Sequence, residues 1–91
     1  MLYEMKPQYS PRRSFHGKAM IEDDGASKTL ISYDTPVAKF SHGQLTLMED
    51  WAVSSTTRRH VAEFSKQMGV FEQFSSMAKA FGKSRHLSAR S

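Results

Sequence analysis

Between Ser14 and Asp50 the apolar and polar positions alternate in short runs, and from Thr57 onward they recur every three or four residues. The first period is that of a strand with one covered face, the second that of an amphipathic helix. "SFHGKAMIED", the Gly-containing turn "DDGA" and "SKTLISYD" read as strand, turn and strand. Pro36 has no N–H to give a ladder, so "DTP" is expected to break the pattern over Asp34–Pro36. "VAKFS", a turn at His42–Gly43 and "QLTLME" follow, with Leu45 and Leu47 on one face and Thr46 and Met48 on the other. Residues 15–50 therefore predict four short antiparallel strands in a meander.

Thr57, Val61, Phe64 and Met68 fall at i, i+4, i+7 and i+11, which is one face of a helix. Gly69 suits the position just past its end, where a left-handed backbone is wanted. Val70, Phe74, Met77, Ala78 and Phe81 mark a second helical face, with Phe71 off its centre and Gly82 as the expected stop. The fold class is then α+β: a four-stranded antiparallel meander sheet followed by two amphipathic helices. Trp51, Phe40, Leu47, Val61 and Phe64 are the expected core. Residues 1–13 hold two of the three prolines and little periodicity, and read as a flexible N-terminal arm. Residues 14–82 read as a single α+β domain and residues 83–91 as a basic flexible tail.

Composition narrows the chemistry. The chain has 91 residues and no cysteine, so disulfides, thiolate nucleophiles and Cys-dependent zinc sites are excluded. The N-terminal stretch lacks the apolar core of a signal peptide, and no apolar run approaches the roughly 20 residues of a membrane span. A cytoplasmic protein with no membrane partner is expected. The net charge of +4 is uneven: residues 1–54 carry −1 and residues 55–91 carry +5. That asymmetry suggests a basic face that meets an anion, against the simpler reading of a solvated tail.

The helix start "SSTTRRH" concentrates the candidate chemistry. Ser54 to Thr57 can all cap a helix, and a cap needs only one of them. Arg58 and Arg59 then stand at the positive end of the helix dipole, which disfavours each by ~0.3–1 kcal/mol. Hydroxyls, backbone N–H groups and two guanidiniums make an anion cradle. Its occupant is either an external phosphate or an internal carboxylate from Asp34, Glu49 or Asp50. The candidate anion, nucleic-acid or partner contacts are Thr56, Thr57, Arg58 and Arg59, with Lys83, Arg85 and Arg90 in the tail.

Other constellations point to less. His16, His42, His60 and His86 are widely spaced and without clustered carboxylates, so no metal or other cofactor is expected. His60 is expected to hydrogen-bond the sheet or the loop at Asp34–Thr35. No Gly-x-Ser-x-Gly elbow, Gly-rich phosphate loop or paired-carboxylate signature is present, so an enzyme is not expected. Tyr33 and Phe40, interleaved with Lys18 and Lys39, could stack bases on an open sheet, but strand periodicity favours them as core. Phe71, Phe74, Met77 and Phe81 form a broad apolar surface that either completes the core or meets a partner, a second copy of the chain included.

Three segments together resemble a family of small proteins of bacteriophages and prophages. They are Arg13, Ser14, Phe15, His16, Gly17, Lys18 and Ala19; then Ser32, Tyr33, Asp34 and Thr35; then Ser54, Thr56, Thr57, His60, Glu63 and Phe64. The resemblance spans roughly residues 12–69 and leaves the region from Val70 outside it. It implies a phage or mobile-element origin and a host-cell setting, and it implies no activity. With the small size and the basic C-terminal third, it leads to one expected function. That function is a non-enzymatic binding protein that docks on a host protein or nucleoprotein complex and inhibits or modulates it, anti-defence roles included. A direct DNA- or RNA-binding accessory protein and a minor virion component are the alternatives.

Overall fold

Tyr3, Ile21, Leu30, Ala38 and Leu47 stand side by side in one row across five antiparallel strands. The strands are β1 (Leu2–Glu4), β2 (Ala19–Asp23), β3 (Ser27–Ser32), β4 (Thr35–Ser41) and β5 (Gln44–Leu47), joined in sequential order. The computed structural model describes residues 1–90, with side chains described as far as Phe81. Two helices follow the sheet, α1 (Ser55–Gln67) and α2 (Phe71–Arg90). The architecture is α+β, with one strand more than the sequence pattern indicates.

The row through Ile21 and Leu30 is the covered face. Ala19, Ile21, Leu30, Val37, Ala38 and Leu45 are buried there with Val61 and Phe64 of α1. The neighbouring row, Leu2, Glu22, Thr29, Lys39 and Thr46, belongs to the opposite, open face. α1 lies over β3 and β4, and α2 lies against β5 and α1. Full burial of a side chain like Phe64 contributes about 1.5–3 kcal/mol, so this one stripe of α1 is a main tie between the layers. Of the expected core, Trp51, Val61 and Phe64 are buried, and Phe40 and Leu47 pack on it while half-exposed.

Pro36 is kept inside a strand by a bulge. β3 and β4 pair Leu30 with Ala38 but Ile31 with Pro36, so Val37 is an extra residue on β4. The irregularity spares the ladder the N–H that proline lacks, and it turns both Val37 and Ala38 inward. The chain reversal comes earlier than expected, at Tyr33 and Asp34, whose φ values are +51° and +69°.

The segment 1–13, read from sequence as a flexible arm, is partly structural. β1 pairs with β2, and Met5 is buried in the core. The chain beyond β1 is tied to α1: the Gln8 and Tyr9 N–H groups donate to the buried Glu63 carboxylate at 2.8 and 3.1 Å. Gln67 Nε2 donates to the Lys6 carbonyl at 2.8 Å and to Glu63 at 2.6 Å. These are long-range ties, and a reading of local periodicity has no access to them.

α1 ends as the sequence predicts. Gly69 has φ +76°, its N–H meets the Lys66 carbonyl at 3.1 Å, and the Val70 N–H meets the Ser65 carbonyl at 2.9 Å. This is the Schellman arrangement, which satisfies the last carbonyls of the helix. α2 runs past Gly82 to Arg90, so Gly82 is not its stop. A glycine inside a helix costs about 1 kcal/mol relative to alanine and does not by itself end one. Among the described residues no helix is long and apolar enough to cross a membrane.

Candidate anion-binding site

The start of α1 is fastened to the sheet by a chain of hydroxyls. Ser54 is the N-cap, its side chain accepting the Thr57 N–H at 3.1 Å. Ser54 Oγ and Thr57 Oγ1 are 3.1 Å apart, Ser32 Oγ lies 3.4 Å from Thr57 Oγ1, and Ser32 Oγ lies 2.9 Å from His60 Nδ1. Ser32, Thr57 and His60 are all buried. The expected hydrogen bond from His60 to the sheet is thus made, to Ser32 of β3. The imidazole also packs edge-on against Phe15, with ring centroids 4.6 Å apart, and lies 5.8 Å from the Tyr33 ring. Burial first, then the positive charge of Arg12, hold the His60 pKa below its ordinary 6.5.

His60, with Phe15 and Tyr33, lines a cleft. Its smaller lobe, about 180 Å³, is lined by Phe15, Tyr33 and His60, by Arg12, His16, Lys18 and Arg59, and by Ser14 and Thr56. An adjoining lobe of about 470 Å³ is lined by Tyr9, Ser10, Pro11, Ala62, Glu63 and Lys66 together with Arg12 and Arg59. Arg12 and Arg59 line both lobes.

Two turns with positive φ form part of the wall. His16 (φ +54°) and Gly17 (φ +70°) reverse the chain between Phe15 and Lys18; Tyr33 and Asp34 do the same between β3 and β4. The turns are held together by the Tyr33 N–H donating to the Lys18 carbonyl at 2.9 Å. A tyrosine in the left-handed region is uncommon, whereas histidine adopts it more readily, as His42 also does in the β4–β5 turn with φ +52°. Tyr33 is 49% exposed and Tyr9 is 58% exposed. Tyr33 is therefore not the core residue its strand period suggests, because it sits in the turn rather than the strand.

The electrostatics are one-sided. The smaller lobe is lined by no carboxylate, and Glu63, the one in the larger lobe, is engaged by Gln8, Tyr9 and Gln67. Glu4 accepts the Gly17 N–H at 3.2 Å. Among the described residues the ion pairs join Met1 to Glu22 and Lys28 to Asp23, so none reaches Arg12, Lys18, Arg58 or Arg59. The internal carboxylate that could have neutralised the helix start is absent from Arg58 and Arg59. The first turn of α1 has no acidic residue either.

The sequence-predicted site residues are separated by this geometry. Thr56 and Arg59 line the cleft; Thr57 is buried in the hydroxyl chain and cannot meet a partner; Arg58 is exposed but outside both lobes. The side chains of Lys83, Arg85 and Arg90 lie outside the described residues. On α2, Phe74 is buried edge-on against Trp51 at 5.6 Å, and Met77 packs on the core. Phe81 is 5.1 Å from Trp51, and Phe71, 40% exposed, carries the Lys66 ammonium 4.9 Å from its ring centre. Sequence reasoning did not single out Arg12, Ser14 and His16 as contacts and placed Lys18 only on an open sheet with Tyr33, Phe40 and Lys39, although Ser14, His16 and Lys18 belong to the first of the three segments that carry the resemblance. Those three segments converge here in space, with Ser14, Phe15, His16 and Lys18 from the first, Tyr33 from the second, and Thr56 and His60 from the third lining one lobe.

Among the described residues no three histidine or acidic side chains gather to hold a metal ion. Comparison with protein families matches residues 3–81 to a family of unknown function, DUF8033, and the chain belongs to that family. Comparison with curated proteins and with solved structures returned no match.

Proposed function

We propose that this member of DUF8033 is a small, non-enzymatic, phage-type binding protein that docks on a host nucleoprotein complex and modulates it, holding the complex by its nucleic acid. The observation that carries the reading is the cleft on Arg12 and Arg59, where cations from two distant segments face solvent with no ion pair among the described residues. Phosphates supply the missing charge, and each one neutralised releases counterions. Tyr9 and Tyr33, exposed in the lobes on either side, offer ring faces on which unpaired bases stack. The phage-like segments that meet at the cleft support the phage setting and the host-cell location.

A tagged protein passed through host lysate with and without nuclease tests the proposal. Capture of a defined complex that is lost on nuclease treatment, and lost with Arg12→Ala/Arg59→Ala, is the expected result. Retention of one stoichiometric protein after nuclease would replace it with a protein-only contact, for which the exposed Phe71 is the nearest anchor.

A further inference from the structure

We propose that the smaller lobe of the cleft is a socket for a terminal phosphate monoester, so that the protein recognises a phosphorylated nucleic-acid end. This rests on the nucleic-acid reading above and names what the site selects. At about 180 Å³ the lobe has room for a phosphate group. Phe15 and His60 line it, and it shares Arg12 and Arg59 with the larger, Tyr9-lined lobe. A strand that ends in the smaller lobe can leave through the larger one.

The charge fits a monoester better than a backbone diester. Arg12, Lys18 and Arg59 converge on the lobe with no lining carboxylate. A backbone diester carries one negative charge, whereas a terminal monoester carries about −1.5 to −2 near neutral pH. Its one extra terminal oxygen also needs donors, and the lobe offers the Ser14 and Thr56 hydroxyls beside the cations.

His60 supplies an independent pointer. It is 1% exposed, and Nδ1 is held by Ser32 at 2.9 Å, yet Nε2 has no hydrogen-bond partner among the described residues and the ring lines the lobe. Among the described residues no buried side-chain nitrogen or oxygen lacks a partner, so Nε2 is open to the lobe, where it can meet a ligand while Ser32 fixes the ring. Ser32 can donate to Nδ1 or accept from it, so an anion at Nε2 selects the tautomer that carries the proton on Nε2.

The test compares single-stranded oligonucleotides of about ten nucleotides, identical except for a 5′-phosphate, a 3′-phosphate or hydroxyls at both ends, by fluorescence anisotropy at one salt concentration. One phosphorylated end is expected to bind roughly tenfold or more tighter than the hydroxyl-ended strand, through charge-assisted contacts. Lys18→Ala and Thr56→Val should erase that preference, Lys39→Ala on the open sheet face should keep it, and inorganic phosphate should compete with it. Equal affinity for all three strands would overturn the socket and leave the nucleic-acid reading standing. Failure to bind any strand would overturn both. Circular dichroism of each variant shows that it is folded, and His60→Gln gives a second disruption should Lys18→Ala prove unstable.

Discussion

Ser32 Oγ and His60 Nδ1, 2.9 Å apart and both buried, join the third strand to the first helix beneath the cleft. The pair fixes the orientation of an imidazole whose other nitrogen is unpaired at a cationic lobe. Ser32→Ala leaves Nδ1 buried and unpaired, which costs about 1–3 kcal/mol. Urea unfolding should show that loss as a lower midpoint with an unchanged slope.

Stability should depend on pH through the same histidine. His60 has its pKa below 6.5 in the folded chain, because burial and then Arg12 oppose the charged form. As pH falls below about 6.5 the unfolded chain binds a proton that the folded chain does not, so stability falls. The contribution is fully present above that value and is lost as pH drops through the folded pKa. His60→Gln should flatten this part of the profile, read as urea midpoints at about pH 7.5 and about pH 5.5. An equally steep decline in the variant would assign the effect to other groups.

Glu63 holds the segment after β1 in place by accepting the Gln8 and Tyr9 N–H groups. Glu63→Ala should destabilise the protein by about 1–3 kcal/mol, since two amides and Gln67 lose their acceptor. Hydrogen exchange provides the specific signature: the Gln8 and Tyr9 amides should exchange much faster while those of β3 change little. Uniform loss of protection would mean that Glu63 acts on the whole fold.

The legible parts of the molecule are those written in local periodicity. Alternation located β2 to β5, the stripe Thr57–Val61–Phe64–Met68 located α1, and Gly69 marked its end. β1 was hidden because three residues show too little alternation and two prolines follow soon after; what fixes them is pairing with β2 and the distant Glu63. The cleft was hidden for a related reason. Arg59 was legible as a cation at a helix start, but its companions Arg12 and Lys18 come from a segment over forty residues away that read as arm and strand. Tyr33 was misplaced by a shift of the turn, since Pro36 is absorbed by a bulge rather than by the reversal itself.

Tyr33 should show a trade of stability for binding. Its φ of +51° suits asparagine better than tyrosine. Tyr33→Asn should therefore leave the midpoint equal or higher, by up to about 1 kcal/mol, while weakening oligonucleotide binding by loss of a stacking face worth about 1–3 kcal/mol. Paired unfolding and anisotropy measurements check both halves. Unchanged affinity would remove Tyr33 from the contact.

The claim that Arg12 and Arg59 hold nucleic-acid phosphates is tested most directly by the salt dependence of binding to a single-stranded oligonucleotide. The wild type should bind with an affinity that falls linearly in log–log form, and Arg12→Ala/Arg59→Ala should reduce the slope by about 0.7 for each phosphate that is no longer neutralised. An identical slope and affinity in the double variant would contradict the account.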